Sequence, residues 1–218
     1  APATQTHPHR AILPLIGAAH LLTSYDDPRL AWRETPDGAL RKAVVPAGHP
    51  MAMFVMNHLR TSPRLPHQVE VTQVQLVQHL GWHEGWALLH KATANSRALN
   101  PALKGTNATD VDSVAAIDAL KRLFVPIHHG SPTPLARVAL MWHGTGERWI
   151  DAVCRDGARS FRTTDAGYFG AGSYVTAEGN YAVRYSEMSN GPGTAEHTVI
   201  LFACSVSYAY PVTLGRDY

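Results

Sequence analysis

Apolar residues recur at helical spacing in the first part of the chain and gather into short, strand-length runs in the last part. In Val69 to Lys91 (VEVTQVQLVQHLGWHEGWALLHK), the residues Val74, Val77, Leu80 and Leu88 fall on one side of a helix, interrupted at Gly81 and Gly85. The spacing predicts one broken helix or two. Asp110 to Phe124 (DVDSVAAIDALKRLF) is a cleaner helix: Asp110 or Asp112 can cap it, Val114, Ile117 and Leu120 or Leu123 form its apolar face, and Pro126 stops it. Met51 to Leu59 (MAMFVMNHL) reads as a core strand or helix turn. DDP, TPDG, PAGHP and SPRLP mark turns between short segments over residues 23 to 66, and Asn100 to Thr109 reads as a loop. Residues 1–134 therefore read as a mainly helical N-terminal region.

From residue 135 onward the pattern changes. Leu135 to Trp142 (LARVALMW) is an apolar run of strand length that stops at His143-Gly144-Thr145. Thr145 can cap the helix expected over Glu147 to Arg155. Ser173 to Ala177 (SYVTA) and Thr198 to Val206 (TVILFACSV) read as further short strands, and Tyr185 falls on the segment between them. The fold class that follows is α+β, with sheet and short helices over residues 135–218.

Composition narrows the function classes. At 45% hydrophobic and 17% charged, with five Trp and eight Tyr, the chain is globular and long enough to bury a core. A net charge of +2 without a long Lys/Arg run argues against a nucleic-acid protein held by bulk electrostatics. No apolar run reaches the roughly 20 residues that span a bilayer. Ala11 to Leu22, broken by Pro14 and Gly17, reads as a buried segment, with a processed signal sequence as the alternative. Cys154 and Cys204 read as reduced core residues, and a cytosolic site of action follows. The 13 histidines include His7/His9, His79/His83 and His128/His129, but His83-Glu84 does not form HExxH and third and fourth ligands at a usual spacing are lacking. No metal site is expected, and the Trp82/Trp86 pair reads as packing.

The candidate chemistry is concentrated between Met141 and Tyr185, where one His and several Tyr stand among glycines. His143 lies at a strand's end. Gly144 lacks a Cβ, so its N–H and C=O can approach a flat ligand closely. Gly170 and Gly172 space Tyr168, Phe169, Ser173 and Tyr174. His143-Gly144-Thr145, then Phe169-Gly170-Ala171-Gly172-Ser173-Tyr174, then Tyr185 resemble, in order and spacing, the core of the poly-ADP-ribose polymerase family, the diphtheria-toxin-like branch of the ADP-ribosyltransferases. The resemblance covers residues 135–218 and extends weakly through Thr198 to Val206.

The resemblance implies a split β-sheet ADP-ribosyltransferase core and an enzyme that takes NAD as substrate without a metal. In that family the backbone of the residue matched by Gly144 pairs with the nicotinamide carboxamide, the rings matched by Tyr174 and Tyr185 sandwich the nicotinamide, and the imidazole matched by His143 bonds the adenosine ribose. His143 and Tyr174 would be the catalytic pair, with Thr145, Tyr168, Phe169, Gly170 and Ser173 completing the NAD site. These residue types suit the task. Cleavage at the nicotinamide–ribose bond passes through an oxocarbenium-like state, which needs a ring pocket, a grip on ribose hydroxyls and nearby negative charge.

Two departures qualify the implied activity. Ala182 stands where many members have a Ser that bonds the carboxamide. The family's catalytic Glu lies on a strand later than Thr198 to Val206, whereas Glu196 precedes that strand and Asp217 is next to the last residue, Tyr218. The Glu is therefore expected on chain beyond Tyr218, and transfer of single ADP-ribose units to a protein acceptor is expected. The short core behind an unfamiliar N-terminal region looks like a bacterial effector or toxin secreted into a host cell. One such group modifies host ubiquitin on threonine, which makes ubiquitin the acceptor named by the comparison, although no residue match carries it. Two other readings stay open: a catalytically inactive NAD-binding or interaction module, and an RNA 2′-phosphotransferase, which should carry more basic residues.

Overall fold

The computed structural model describes residues 27–61, 69–79, 88, 92, 95, 110–125, 137–157, 172–191, 193–194 and 196–206. Within these residues the chain is α+β, with four helices and two three-stranded antiparallel sheets.

The first sheet contains β1 (Arg33–Glu34), β2 (Leu40–Val44) and β3 (Gln75–His79) in that order. The TPDG turn joins β1 to β2 as expected. Thr35 Oγ1 donates to Asp37 Oδ1 at 2.6 Å, the Gly38 N–H donates to the Thr35 carbonyl at 2.8 Å, and Gly38 takes φ 65°, a value that suits a residue without a Cβ. Strand β3 corrects the helix expected from Val69. Leu40 to Val44 pair residue by residue with His79 to Gln75. Within the stretch that fits a helical spacing, Val74 and Leu76 also alternate with Gln73 and Gln75, and pairing with β2 decides between the two periods. The N-terminal region is thus not mainly helical over residues 33–79. In the second half of the expected stretch Leu88 is helical, as expected, and residues 80–87 and 89–91 lie outside the described residues.

Helix α1 (Pro50–Arg60) realises the apolar Met51 to Leu59 run, with Met51, Ala52, Phe54 and Leu59 buried. Its N-cap is a histidine. His49 is buried, and its Nδ1 accepts the Met51 N–H at 3.1 Å. A ring nitrogen that accepts carries no proton, so Nε2–H donates to Asp27 Oδ2 at 3.0 Å. Helix α2 (Val111–Arg122) starts as expected at Asp110, whose Oδ1 accepts the Ser113 N–H at 2.8 Å.

The second sheet runs β4 (Phe124–Val125), β5 (Arg137–Gly144) and β6 (Val199–Val206), with β5 in the middle. Register is continuous from Arg137 against Val206 to Gly144 against Val199. A 3₁₀ turn (Glu147–Trp149) leads into α3 (Ile150–Asp156), and α4 (Gly179–Asn190) packs on β5. The core crosses the boundary expected at 134/135. Leu30, Ala43, Val45, Met51, Ala52 and Phe54 cluster with Val138 and Leu140, while Leu59 packs with Trp142 and Ala182. Ion pairs Lys42–Asp151 and Asp37–Arg155 tie the first sheet to α3. Among the described residues no helix is long and apolar enough to cross a membrane.

Candidate functional site

Strand β5 continues through His143 and Gly144, so both stand on the last rungs of the central strand and not beyond it. On the side away from β6, Trp142 forms an isolated bridge with Thr176: its N–H donates to the Thr176 carbonyl at 2.7 Å, and its carbonyl accepts the Thr176 N–H at 2.9 Å. Of the strand expected over Ser173 to Ala177, this bridge is the part observed. One further antiparallel step would set Gly144 opposite Tyr174. Instead, the Tyr174 carbonyl lies 2.9 Å from His143 Nδ1.

That bond fixes the imidazole chemically. A carbonyl oxygen only accepts, so Nδ1 carries the proton, and in the neutral ring Nε2 is a lone-pair acceptor. The His143 ring also packs on Phe202 of β6, with centroids 6.1 Å apart. Along a strand, residues two apart direct their backbone groups to the same side. The N–H and C=O of Gly144 therefore share the side of those of Trp142, toward the segment that carries Tyr174.

Gly144 has a second role that its sequence setting did not reveal. A Cβ built on it would lie 1.8 Å from the Ala182 carbonyl oxygen and 2.7 Å from that carbonyl's carbon. The missing side chain is thus filled by the backbone of α4, not by a ligand. Ala182 itself is fully buried against Trp142. Small or tightly packed residues, Gly179, Asn180, Ala182 and Ser186, form the buried face of α4.

Tyr185 lies on α4 as expected and is 46% exposed, as is Tyr174 at 38%. The Tyr185 ring packs against Tyr181, one turn earlier, with centroids 5.1 Å apart and planes inclined by 55°. Tyr181 is a neighbour of Tyr185 that the motif did not name. Its signal in the sequence was the i, i+4 spacing to Tyr185. Ser173 is exposed beside Tyr174. Tyr168, Phe169 and Gly170 lie outside the described residues, as does Asp217.

Thr145 does not cap the following helix. The 3₁₀ turn has Gly146 at its N-cap position, without a side-chain cap bond, and the Glu147 N–H donates to Asn190 Oδ1 at 2.7 Å. The end of α4 thereby holds the corner after His143-Gly144-Thr145. Glu147 and Asn190 also line an open cleft of about 340 Å³ with Thr194, Glu196 and Thr198, so Glu196 sits at the β6 entry beside this corner. Cys154 and Cys204 are free thiols. Burial raises both, the latter to about 11, while at Cys154 the Lys42 charge works in the opposite direction. Among the described residues no group of three or more His, Cys, Asp or Glu side chains could hold a metal ion.

Compared with known proteins, the chain matches no family model and no curated sequence.

Proposed function

We propose that the protein is a mono-ADP-ribosyltransferase of the poly-ADP-ribose polymerase type, which cleaves NAD at the nicotinamide–ribose bond and transfers ADP-ribose to a protein acceptor. The observation that carries the proposal is the 2.9 Å bond between His143 Nδ1 and the Tyr174 carbonyl. It joins two motif elements 31 positions apart at one end of the central strand, as a shared substrate site requires.

The surrounding geometry suits the chemistry. With Nδ1–H committed to Tyr174, Nε2 of His143 is left to accept a hydroxyl proton from a ribose. The N–H and C=O of Gly144, one donor and one acceptor on a single edge, match the complementary pair of a primary carboxamide. Tyr174 and Tyr185 keep accessible ring area, which a planar pyridinium can cover by stacking. The burial of Ala182 supplies no hydroxyl to the carboxamide, so backbone and rings would do the holding. Once the substrate is gripped, nicotinamide leaves as a neutral base and the ribose carbon becomes cationic, a state favoured by fixed negative charge nearby.

The test is incubation with NAD labelled in its adenosine part and a cell lysate, with ubiquitin as a defined acceptor in parallel. Label on protein with equimolar release of nicotinamide supports the proposal. NAD binding without transfer would favour an inactive binding module, and turnover of 2′-phosphorylated RNA would favour a phosphotransferase.

A further inference from the structure

We propose that Tyr181 is a positioning residue that sets the ring plane of Tyr185 and so controls the affinity of the cleft for a flat, nicotinamide-like ring. The inference rests on the functional reading given above and extends it to a residue outside the motif.

The two tyrosines occupy successive turns of α4, with ring centroids 5.1 Å apart and planes inclined by 55°, a tilted ring contact. The helix that carries them cannot adjust its own position. Between them, Ala182 is 1% exposed, its carbonyl fills the space where a Gly144 side chain would be, and Ser186 on the same face is completely buried. The backbone at this turn is therefore fixed against β5, and Tyr181 and Tyr185 are held on the open side, 52% and 46% exposed. A half-exposed tyrosine on a helix has two common χ1 wells. Contact with the Tyr181 ring favours the rotamer seen, in which Tyr185 is 46% exposed.

Pre-organisation of this kind acts on binding and not on bond cleavage. A ring already in its binding rotamer need not be ordered when the ligand arrives. Loss of Tyr181 should thus raise KM for NAD and Kd for nicotinamide while kcat stays the same, the signature of an interaction equal in ground and transition states. From the worth of an aromatic pair, the change is roughly threefold to tenfold.

Nicotinamide and NAD are titrated into the wild type, Tyr181→Phe and Tyr181→Leu, while the tyrosine ring resonances are followed by NMR. Tyr181→Phe should bind as the wild type does. Tyr181→Leu should bind threefold to tenfold more weakly, with shifted Tyr185 ring resonances before ligand is added and a melting temperature lower by at most about 6 °C. Wild-type affinity in Tyr181→Leu overturns this inference alone, as does weakened binding with Tyr185 resonances unmoved. A wild type that binds neither ligand at millimolar concentration overturns the functional reading and this inference with it.

Discussion

Gly144 and Ala182 meet backbone to backbone: a Cβ on Gly144 would lie 1.8 Å from the Ala182 carbonyl oxygen. Because the obstacle is main chain on the buried face of α4, no rotamer change can relieve it. Gly144→Ala should cost about 3 kcal/mol by pushing α4 off β5. At this chain length the melting temperature should fall by roughly 6–12 °C. Gly48→Ala, where nothing lies within 4 Å of the added carbon, should stay within about 0.5 kcal/mol of the wild type. Thermal unfolding of the two variants side by side checks the contrast.

The corner after the His143 motif depends on Asn190, whose Oδ1 accepts the Glu147 N–H at 2.7 Å and whose Nδ2 approaches Ser186 Oγ and His197 Nδ1 at 3.4 Å. Asn190→Ala should lower stability by about 1 kcal/mol, the usual worth of an N-cap acceptor. Thr145→Ala should change it by at most about 0.5 kcal/mol, since the Thr hydroxyl does not cap the turn. Denaturant unfolding of both variants decides which residue holds the corner.

Asp27 gives the fold a predictable acid dependence. The Arg29 guanidinium bonds its two oxygens at 2.5–3.1 Å, and the Arg29 N–H and the His49 ring add to this, so its carboxyl is held well below the usual carboxylate range. A depressed carboxyl contributes stability that is fully present above its unfolded value, about pH 4, and is lost as the pH falls further. The difference in melting temperature between the wild type and Asp27→Asn should therefore be constant near neutrality and shrink below about pH 4. Melting curves across this range provide the measurement.

Burial holds the Cys204 thiol up at about 11. Near pH 8 its thiolate fraction should lie at least about 100-fold below that of an ordinary cysteine. Iodoacetamide should thus modify Cys204 slowly in the native protein and rapidly after denaturation, as peptide mapping by mass spectrometry would detect.

Much of the second sheet and its helices was legible in the sequence because local signals and tertiary packing agree there. The apolar run before His143 is a strand, Asp110 caps its helix, Tyr185 is helical, and Val199–Val206 pairs along the whole of β5. The first sheet was less legible. Gln73 to Leu76 alternate while Val74, Val77 and Leu80 fit a helical spacing, and only the long-range partner β2 resolves the two patterns. Two features of the site were hidden for a similar reason. The cap on Glu147 comes from Asn190, 43 positions later, and the space beside Gly144 is filled from Ala182. Neither partner can be inferred from the corner's own residues. The His143–Tyr174 contact matched the motif order, but the choice of Nδ1 and a backbone carbonyl could not be read from residue types.

The central claim is that His143 serves NAD through Nε2 while Nδ1–H secures the site to Tyr174. Asn at position 143 can offer an N–H near the place of Nδ1 and has nothing at the place of Nε2. The decisive measurement is nicotinamide release from NAD by the wild type and His143→Asn, with thermal unfolding as control. The account predicts release by the wild type, a loss of at least about 100-fold in His143→Asn, and closely similar melting temperatures. Release by His143→Asn at the wild-type rate, or no release by a folded wild type supplied with an acceptor, would contradict it.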